Sequence, residues 1–265
     1  MVFRIFLVLV RKELNGPAMK TVGIIGGIGP DSTIDYYRLI IDTYREKQSG
    51  TGVPPVGNHA QDAPATSAPS IIINSVNVNL LLDWMKAGDL ASVTDYLASE
   101  LERLARAGVD FGVIAANTPH IVFDELQKRS PVPLLSIVEA TRDEATARGM
   151  KKVGLLGTRF TMQARFYPEV FARANLTIVV PNQDEQSYIH EKYLGELLKG
   201  IFLPETRERL LGIVDQLREA EGVEGVILGG TELPLILRDS QHNGVPFLDT
   251  TRIHVDRIVA ELISQ

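Results

Sequence analysis

The sequence predicts an α/β protein made of two pseudo-symmetric, doubly wound parallel-sheet domains, with its site in the cleft between them. Three observations carry that expectation. Short apolar, β-branched runs alternate with amphipathic stretches of helical period, the pattern of parallel sheets covered on both faces. The pattern then starts again: Lys152-Val-Gly-Leu-Leu-Gly157 echoes Thr21-Val-Gly-Ile-Ile-Gly26, and Gly225-Val-Ile-Leu-Gly-Gly-Thr231 echoes Gly112-Val-Ile-Ala-Ala-Asn-Thr118. Finally, 265 residues with 45% hydrophobic and 23% charged content suffice for two cores of ~100–150 residues each. In open α/β sheets ligands bind at the carboxyl ends of the strands, so two such domains facing each other place the site between them.

Taken in order, Val22 to Gly26 reads as the first strand. Asp31 to Lys47 follows as a helix, with Ile34, Tyr37, Ile40, Ile41 and Tyr44 on one face at three- and four-residue spacing. Ser70 to Val78, rich in Ile and Val, reads as a strand. Leu90 to Ala107 is amphipathic, with Leu90, Val93, Leu97, Leu101 and Leu104 as its stripe. Val109 to Ala115 is the next strand, and Phe123 to Lys128 a helix stopped by Pro131 and Pro133. The second half repeats the scheme, with Phe166 and Tyr167 in the helix after its first strand. The C-terminal helix is expected to return to the first domain. The expected division is therefore residues 19–130 plus 249–265 for the first domain and 131–248 for the second.

Two segments stand apart. Residues 1–18 carry only a short apolar run, Ile5 to Val10, with no small-x-small cleavage site after it; they read as an N-terminal extension, and the expected location is cytoplasmic. Residues 49–70 are rich in Gly, Pro, Ala and Ser and contain no Lys, Arg or Glu. They read as a low-complexity insertion at a loop tip, a lid over the site being the other reading.

Composition excludes several chemistries. There is no cysteine, which removes disulfides, thiolate metal sites and every thiol mechanism. A net charge of −6 argues against a nucleic-acid partner. No run approaches the ~18 apolar residues of a membrane span. No His, Asp or Glu spacing suggests a metal site, and no Ser lies in a G-x-S-x-G elbow. The turn Gly26-Gly-Ile-Gly-Pro-Asp31 fails as a dinucleotide fingerprint, because Ser32 stands where the third glycine belongs and Pro30 intrudes. Instead, Gly27 and Gly29 let backbone N–H groups approach a ligand carboxylate at a helix start.

Five segments together resemble the aspartate/glutamate racemase family, the cofactor-independent amino-acid racemases. They are Val22-Gly-Ile-Ile-Gly-Gly-Ile-Gly-Pro-Asp-Ser-Thr33, Asn117-Thr-Pro-His120, Gly154-Leu-Leu-Gly-Thr158, Leu228-Gly-Gly-Thr-Glu-Leu-Pro234 and Pro246-Phe-Leu-Asp-Thr-Thr-Arg-Ile-His254, in register from Met19 onward. The resemblance implies no cofactor, a small amino-acid-like carboxylate as ligand, and a homodimer. It also implies a two-base mechanism, since inverting an α-carbon needs a base on one face and a proton donor on the other. The family uses one cysteine from each domain. The matching positions here are Ala116 and Gly230, which carry no titratable atom. Racemisation then needs other bases or is lost, and a non-catalytic amino-acid binder or sensor is the alternative. Shortening both side chains is expected to enlarge the cleft by two side-chain ends.

The remaining polar groups are read both ways. Asn117, Thr118 and Thr231 follow strand ends and suit a carboxylate and amine; strand-end capping is the other reading. Thr158 and Thr161 fill the analogous place in the second half. Glu232 is a candidate ammonium partner or general base, or a carboxylate at a helix start. His120 is a candidate acid–base group or a structural histidine, as are His190 and His254, with His254 expected to bond near Asp249, Thr250 and Thr251. Asn74 to Trp84 contains no Arg or Lys, and Lys192 and Lys199 read as lying on the helix before the repeat's last strand. A second ligand carboxylate therefore lacks a partner, whereas Asn77, Asn79 and Leu80 to Leu82 suit a polar or apolar side chain.

Overall fold

The computed structural model describes residues 19–49 and 68–264. The extension read at 1–18 and the body of the insertion, 50–67, lie outside the described residues. The first half runs β1 (Thr21–Gly26), α1 (Pro30–Ser49), β2 (Ser70–Ser75), α2 (Val78–Ala87), α3 (Leu90–Arg106), β3 (Phe111–Ile114), a 3-10 turn (Thr118–Val122), α4 (Phe123–Arg129) and β4 (Leu134–Leu135). The second half runs α5 (Ile137–Ala147), β5 (Lys152–Gly157), α6 (Arg159–Gln163), α7 (Phe166–Ala172), β6 (Thr177–Val179), α8 (Gln183–Gly195), a 3-10 turn (Leu197–Lys199), α9 (Pro204–Glu221), β7 (Gly225–Gly229), α10 (Leu233–Ile236), β8 (Gln241–His242), β9 (Val245–Asp249) and α11 (Thr250–Ile263).

The strands form two sheets, in the orders β2-β1-β3-β4 and β6-β5-β7-β9-β8. Apart from the edge strand β8, the two orders coincide, so the repeated sequence builds a repeated topology. All pairings are parallel except β8 with β9. The sheets are thus parallel as expected, with one antiparallel edge.

Each sheet is covered on both faces. Ile25 and Ile114 face Val93, Leu97, Leu101 and Leu104 of α3. Val22, Ile24, Phe111 and Val113 face Tyr36, Ile40 and Tyr44 of α1 and Val255, Ile258, Val259 and Leu262 of α11. The C-terminal helix packs on the first sheet. In the second sheet, Leu156, Val226 and Leu228 meet α8 and α9, while Val153, Leu155 and Ile227 meet α5 and α7.

Three local expectations change. The buried row of α1 is Tyr36, Ile40 and Tyr44, whereas Ile34 and Tyr37 are exposed. Ile40 is shared by two overlapping apolar rows, and α11 covers the one that includes Tyr36. The strand expected to reach Val78 stops at Ser75, because the Asn77 side chain accepts from the Asn79 amide and starts α2. Leu90 sits at the start of α3 and is partly exposed, while the rest of its stripe is buried.

Candidate functional site

Four strands point their carboxyl ends at one place. β1 ends at Gly26, and Gly27, at φ 81°, turns the chain into α1. No side chain fits at Gly27, since a Cβ there meets the backbone N and O of Val76 at 3.0 Å. The Gly27 amide is already held by Thr33 Oγ1 at 2.9 Å, so it has no free N–H for a ligand. β3 leads through Ala116 into Asn117 and Thr118, β5 into Thr158, and β7 into Gly230, Thr231 and Glu232. Gly29, Ala116, Asn117, Thr118, Thr158, Thr231 and Glu232 line one pocket between the two sheets. Its cavity is about 40 Å3, room for water molecules only. The other predicted residues, Thr161, Gly27, Gly230 and His120, stand behind that lining.

Asn117 ties the halves together. Its Nδ2 donates to Thr250 Oγ1 at 3.0 Å, and its Oδ1 accepts from Tyr167 Oη at 2.6 Å. Thr250 in turn donates to the Leu228 carbonyl at 2.8 Å. The side chain is buried and engaged at both ends, which favours the structural reading of this residue. Asn117→Ala removes the bridge between the buried Tyr167 and Thr250 hydroxyls, and a loss of about 2 kcal/mol is expected from denaturant melts; an unchanged midpoint counts against the bridge.

Three hydroxyls meet across the pocket. Thr118 Oγ1 lies 3.1 Å from Thr158 Oγ1 and 3.0 Å from Thr161 Oγ1, and the last two are 3.2 Å apart. Thr158 also caps α6 by accepting from the Thr161 amide. Hydroxyl hydrogens rotate, so these groups can turn their donors toward an anion. The triad contains no basic group.

The Gly230 side is not empty. A Cβ at Gly230 falls 2.5 Å from Tyr193 Oη and 2.7 Å from its Cζ. The Tyr193 ring thus occupies the volume that a side chain at Gly230 needs, and the expected enlargement of the cleft is absent on this side. Tyr193 also donates to Glu232 Oε2, and Thr231 Oγ1 donates to the same oxygen at 3.2 Å. Glu232 Oε1 is buried with no hydrogen-bond partner. It lies over Gly29, whose missing Cβ makes room for it; a Cβ there falls 2.9 Å from Glu232 Cδ and closer still to Oε1. Burial raises the pKa of Glu232, opposed by the hydrogen bonds from Tyr193 and Thr231 and by the nearby Ser32 hydroxyl, which itself donates to the Gly29 carbonyl. Burial, and then the Glu232 charge, raises that of Tyr193.

The Ala116 side carries no such pair. His120 stands nearest in sequence, but both its nitrogens face backbone groups. Nδ1 lies 3.0 Å from the Ala116 carbonyl and Nε2 3.4 Å from the Ile137 amide. The tautomer that satisfies both has Nδ1 protonated and Nε2 accepting. The ring stacks on Phe123 at 4.8 Å, and burial pushes its pKa down to about 4. A cleft of about 560 Å3 lies behind it, toward Phe123, Phe166 and Glu139, and contains none of the strand-end residues.

His190 and His254 lie off the pocket. His190 accepts from the Arg159 amide at 3.2 Å. His254 bonds Tyr36 Oη at 3.0 Å and the Leu135 carbonyl at 3.2 Å, not the 249–251 segment expected from sequence. Lys192 pairs with Glu196, and neither it nor Lys199 lines the pocket. Among the described residues no cluster of three or more His, Asp or Glu is placed to hold a metal, and no helix is long and apolar enough to cross a membrane. Tyr193, Tyr167 and the apolar wall of Met85, Phe160 and Leu198 were not legible in the sequence, because α2, α6 and α8 reach the site only through the tertiary fold.

Comparison with known proteins places this geometry. The family model described as Asp/Glu/Hydantoin racemase matches residues 25–258. The broad specificity amino-acid racemase RacX of Bacillus subtilis (strain 168) is 25% identical over 232 residues, covering 87% of this chain and 92% of RacX. A Yersinia pestis crystal structure assigned to the Asp/Glu racemases superposes with a TM-score of 0.77 at 30% identity, covering 93% of this chain and all of that one. An aspartate racemase homologue from Pyrococcus horikoshii OT3 gives a TM-score of 0.72 at 35% identity, again covering 93% of this chain. With the fold, the repeated strand ends and the matched span in agreement, this chain belongs to the Asp/Glu/Hydantoin racemase family.

Proposed function

We propose that this protein binds the head group of a small amino acid between its two sheets and does not racemise it. The observation that supports this is the asymmetry of titratable groups across the pocket. Tyr193 and Glu232 stand on the Gly230 side, whereas the Ala116 side offers hydroxyls and a histidine held at both nitrogens by backbone. Inversion needs proton carriers on opposite faces of one carbon. A cavity of about 40 Å3 requires the Thr118 contacts to Thr158 and Thr161 to part before a ligand is admitted.

The test is a panel of both enantiomers of the amino acids in deuterated water, followed by proton NMR and chiral chromatography. Binding is expected to raise the melting temperature by about 5 °C or more at a ligand concentration ~100 times Kd, with optical purity unchanged. Racemisation of any amino acid overturns the reading. Deuterium uptake at the α-carbon with retained configuration favours a second reading, a one-face acid–base catalyst. The upward shift of Glu232 supports that second reading, because a base active near neutral pH needs a raised carboxyl pKa.

A further inference from the structure

We propose that Glu232 receives the ammonium group of the ligand, and that the pocket selects amino acids with uncharged, apolar side chains over aspartate and glutamate. This rests on the amino-acid reading above and names its ligand class. Glu232 has one oxygen fixed by Tyr193 and Thr231 and the other buried without a partner. Buried polar atoms are almost always bonded, so an orphaned one calls for a partner from outside the chain. The orphaned atom is an acceptor, so the missing atom is a donor. Other polar side chains at the site have partners: Asn117 is engaged at both ends, and the three hydroxyls satisfy one another.

The charge balance narrows the ligand. Among the described residues no Lys, Arg or His lines the pocket, so the cation that pairs with Glu232 is assigned to the ligand. A zwitterionic amino acid brings it, along with a carboxylate that the Thr118 and Thr158 hydroxyls can meet as donors. A dicarboxylic amino acid brings one more anion with no cation left to pair it, and an unpaired buried carboxylate is heavily penalised. The wall that would meet the side chain is Val78, Leu81, Met85, Phe160, Leu194 and Leu198, all apolar.

Calorimetric titration of the full chain tests this with leucine, its des-amino analogue 4-methylpentanoate, aspartate and glutamate. Leucine is expected to bind, with 4-methylpentanoate weaker by about tenfold or more, the usual effect of losing a charged hydrogen-bond partner, and aspartate and glutamate weaker by about as much because their second carboxylate is unpaired. Glu232→Gln is expected to lower leucine affinity by about the same factor and not to weaken 4-methylpentanoate, whose carboxylate no longer meets an unpaired anion. Equal binding of leucine and 4-methylpentanoate, or tighter binding of aspartate, overturns the inference and leaves the amino-acid reading standing. Failure of all four probes removes both. The ligand series in the unaltered protein gives its answer even if the variant does not fold.

Discussion

Gly230→Cys is expected to lower stability by about 3 kcal/mol, at the upper end of the usual cost of overpacking a core. Returning both thiols to an otherwise unchanged chain is accordingly expected to give no racemase. The reason is the Tyr193 ring. It is buried, its hydroxyl is tied to Glu232, and it passes within 3.0 Å of where the new Cβ falls. Rotating it away breaks its hydrogen bond and drives it into the packing around Ile189 and Leu197. Tyr193→Ala opens that volume. Gly230→Cys combined with Tyr193→Ala is therefore expected to be more stable than the sum of the two single changes, because the pair shares one cavity. Denaturant melts of the two singles and the double check this. Strict additivity shows that Tyr193 does not fill the position. The chain carrying Ala116→Cys, Tyr193→Ala and Gly230→Cys is the proper vehicle for asking whether family chemistry can be recovered.

Acidification from pH 7 to 4.5 is expected to remove about 5 kcal/mol of stability through two buried histidines, offset in part by buried carboxylates. His120 and His254 are buried and neutral, with pKa values pushed down to about 4 and about 3 by burial; for His254 the proximity of His120 adds to it. An unfolded chain protonates these histidines near pH 6.5. Between that value and their native values the unfolded state binds more protons, so stability is fully present above about pH 6.5 and falls as pH falls. Each histidine contributes about 1.4 kcal/mol per pH unit in that window. Glu232 and Asp249 act oppositely. Burial raises their native pKa, so in their window the native state binds the extra proton and gains stability as pH falls. Glu232→Gln removes one opposing group and is expected to steepen the acid loss. Guanidinium unfolding at pH 7, 6, 5 and 4.5 measures both slopes, and a flat profile in the variant overturns the assignment.

The fold was legible because glycine-bounded apolar runs and helical stripes are local signals. The repeat of Thr21 to Gly26 at Lys152 to Gly157 announced a second sheet, and the two strand orders coincide. The errors came where two local signals overlap. Leu80 to Leu82 follow an Ile- and Val-rich strand without a Pro or Gly between, so the helix starting at Val78 is visible only through the cap at Asn77. In α1 two apolar rows share Ile40, and α11 decides which is buried. At the site, strand ends were legible because turns there demand Gly, Asn and Thr. Tyr193 was not, because nothing in its helix ties it to Gly230; the pairing exists only once α8 packs across β7. The partners of Asn117 were hidden likewise, since Tyr167 and Thr250 come from separate elements beyond the first half.

The last helix has a consequence for synthesis. Thr250–Ile263 begins at the end of a second-sheet strand yet completes a face of the first sheet, against Val22, Ile24 and Tyr36. The ribosome delivers the N-terminal strands early and this helix last. Throughout translation, that side of the first sheet therefore has only α1 as cover, while the second can assemble most of its interior. The order of maturation is expected to run against the order of emergence, and a nascent chain halted before Thr250 presents an apolar sheet face to whatever chaperone attends it.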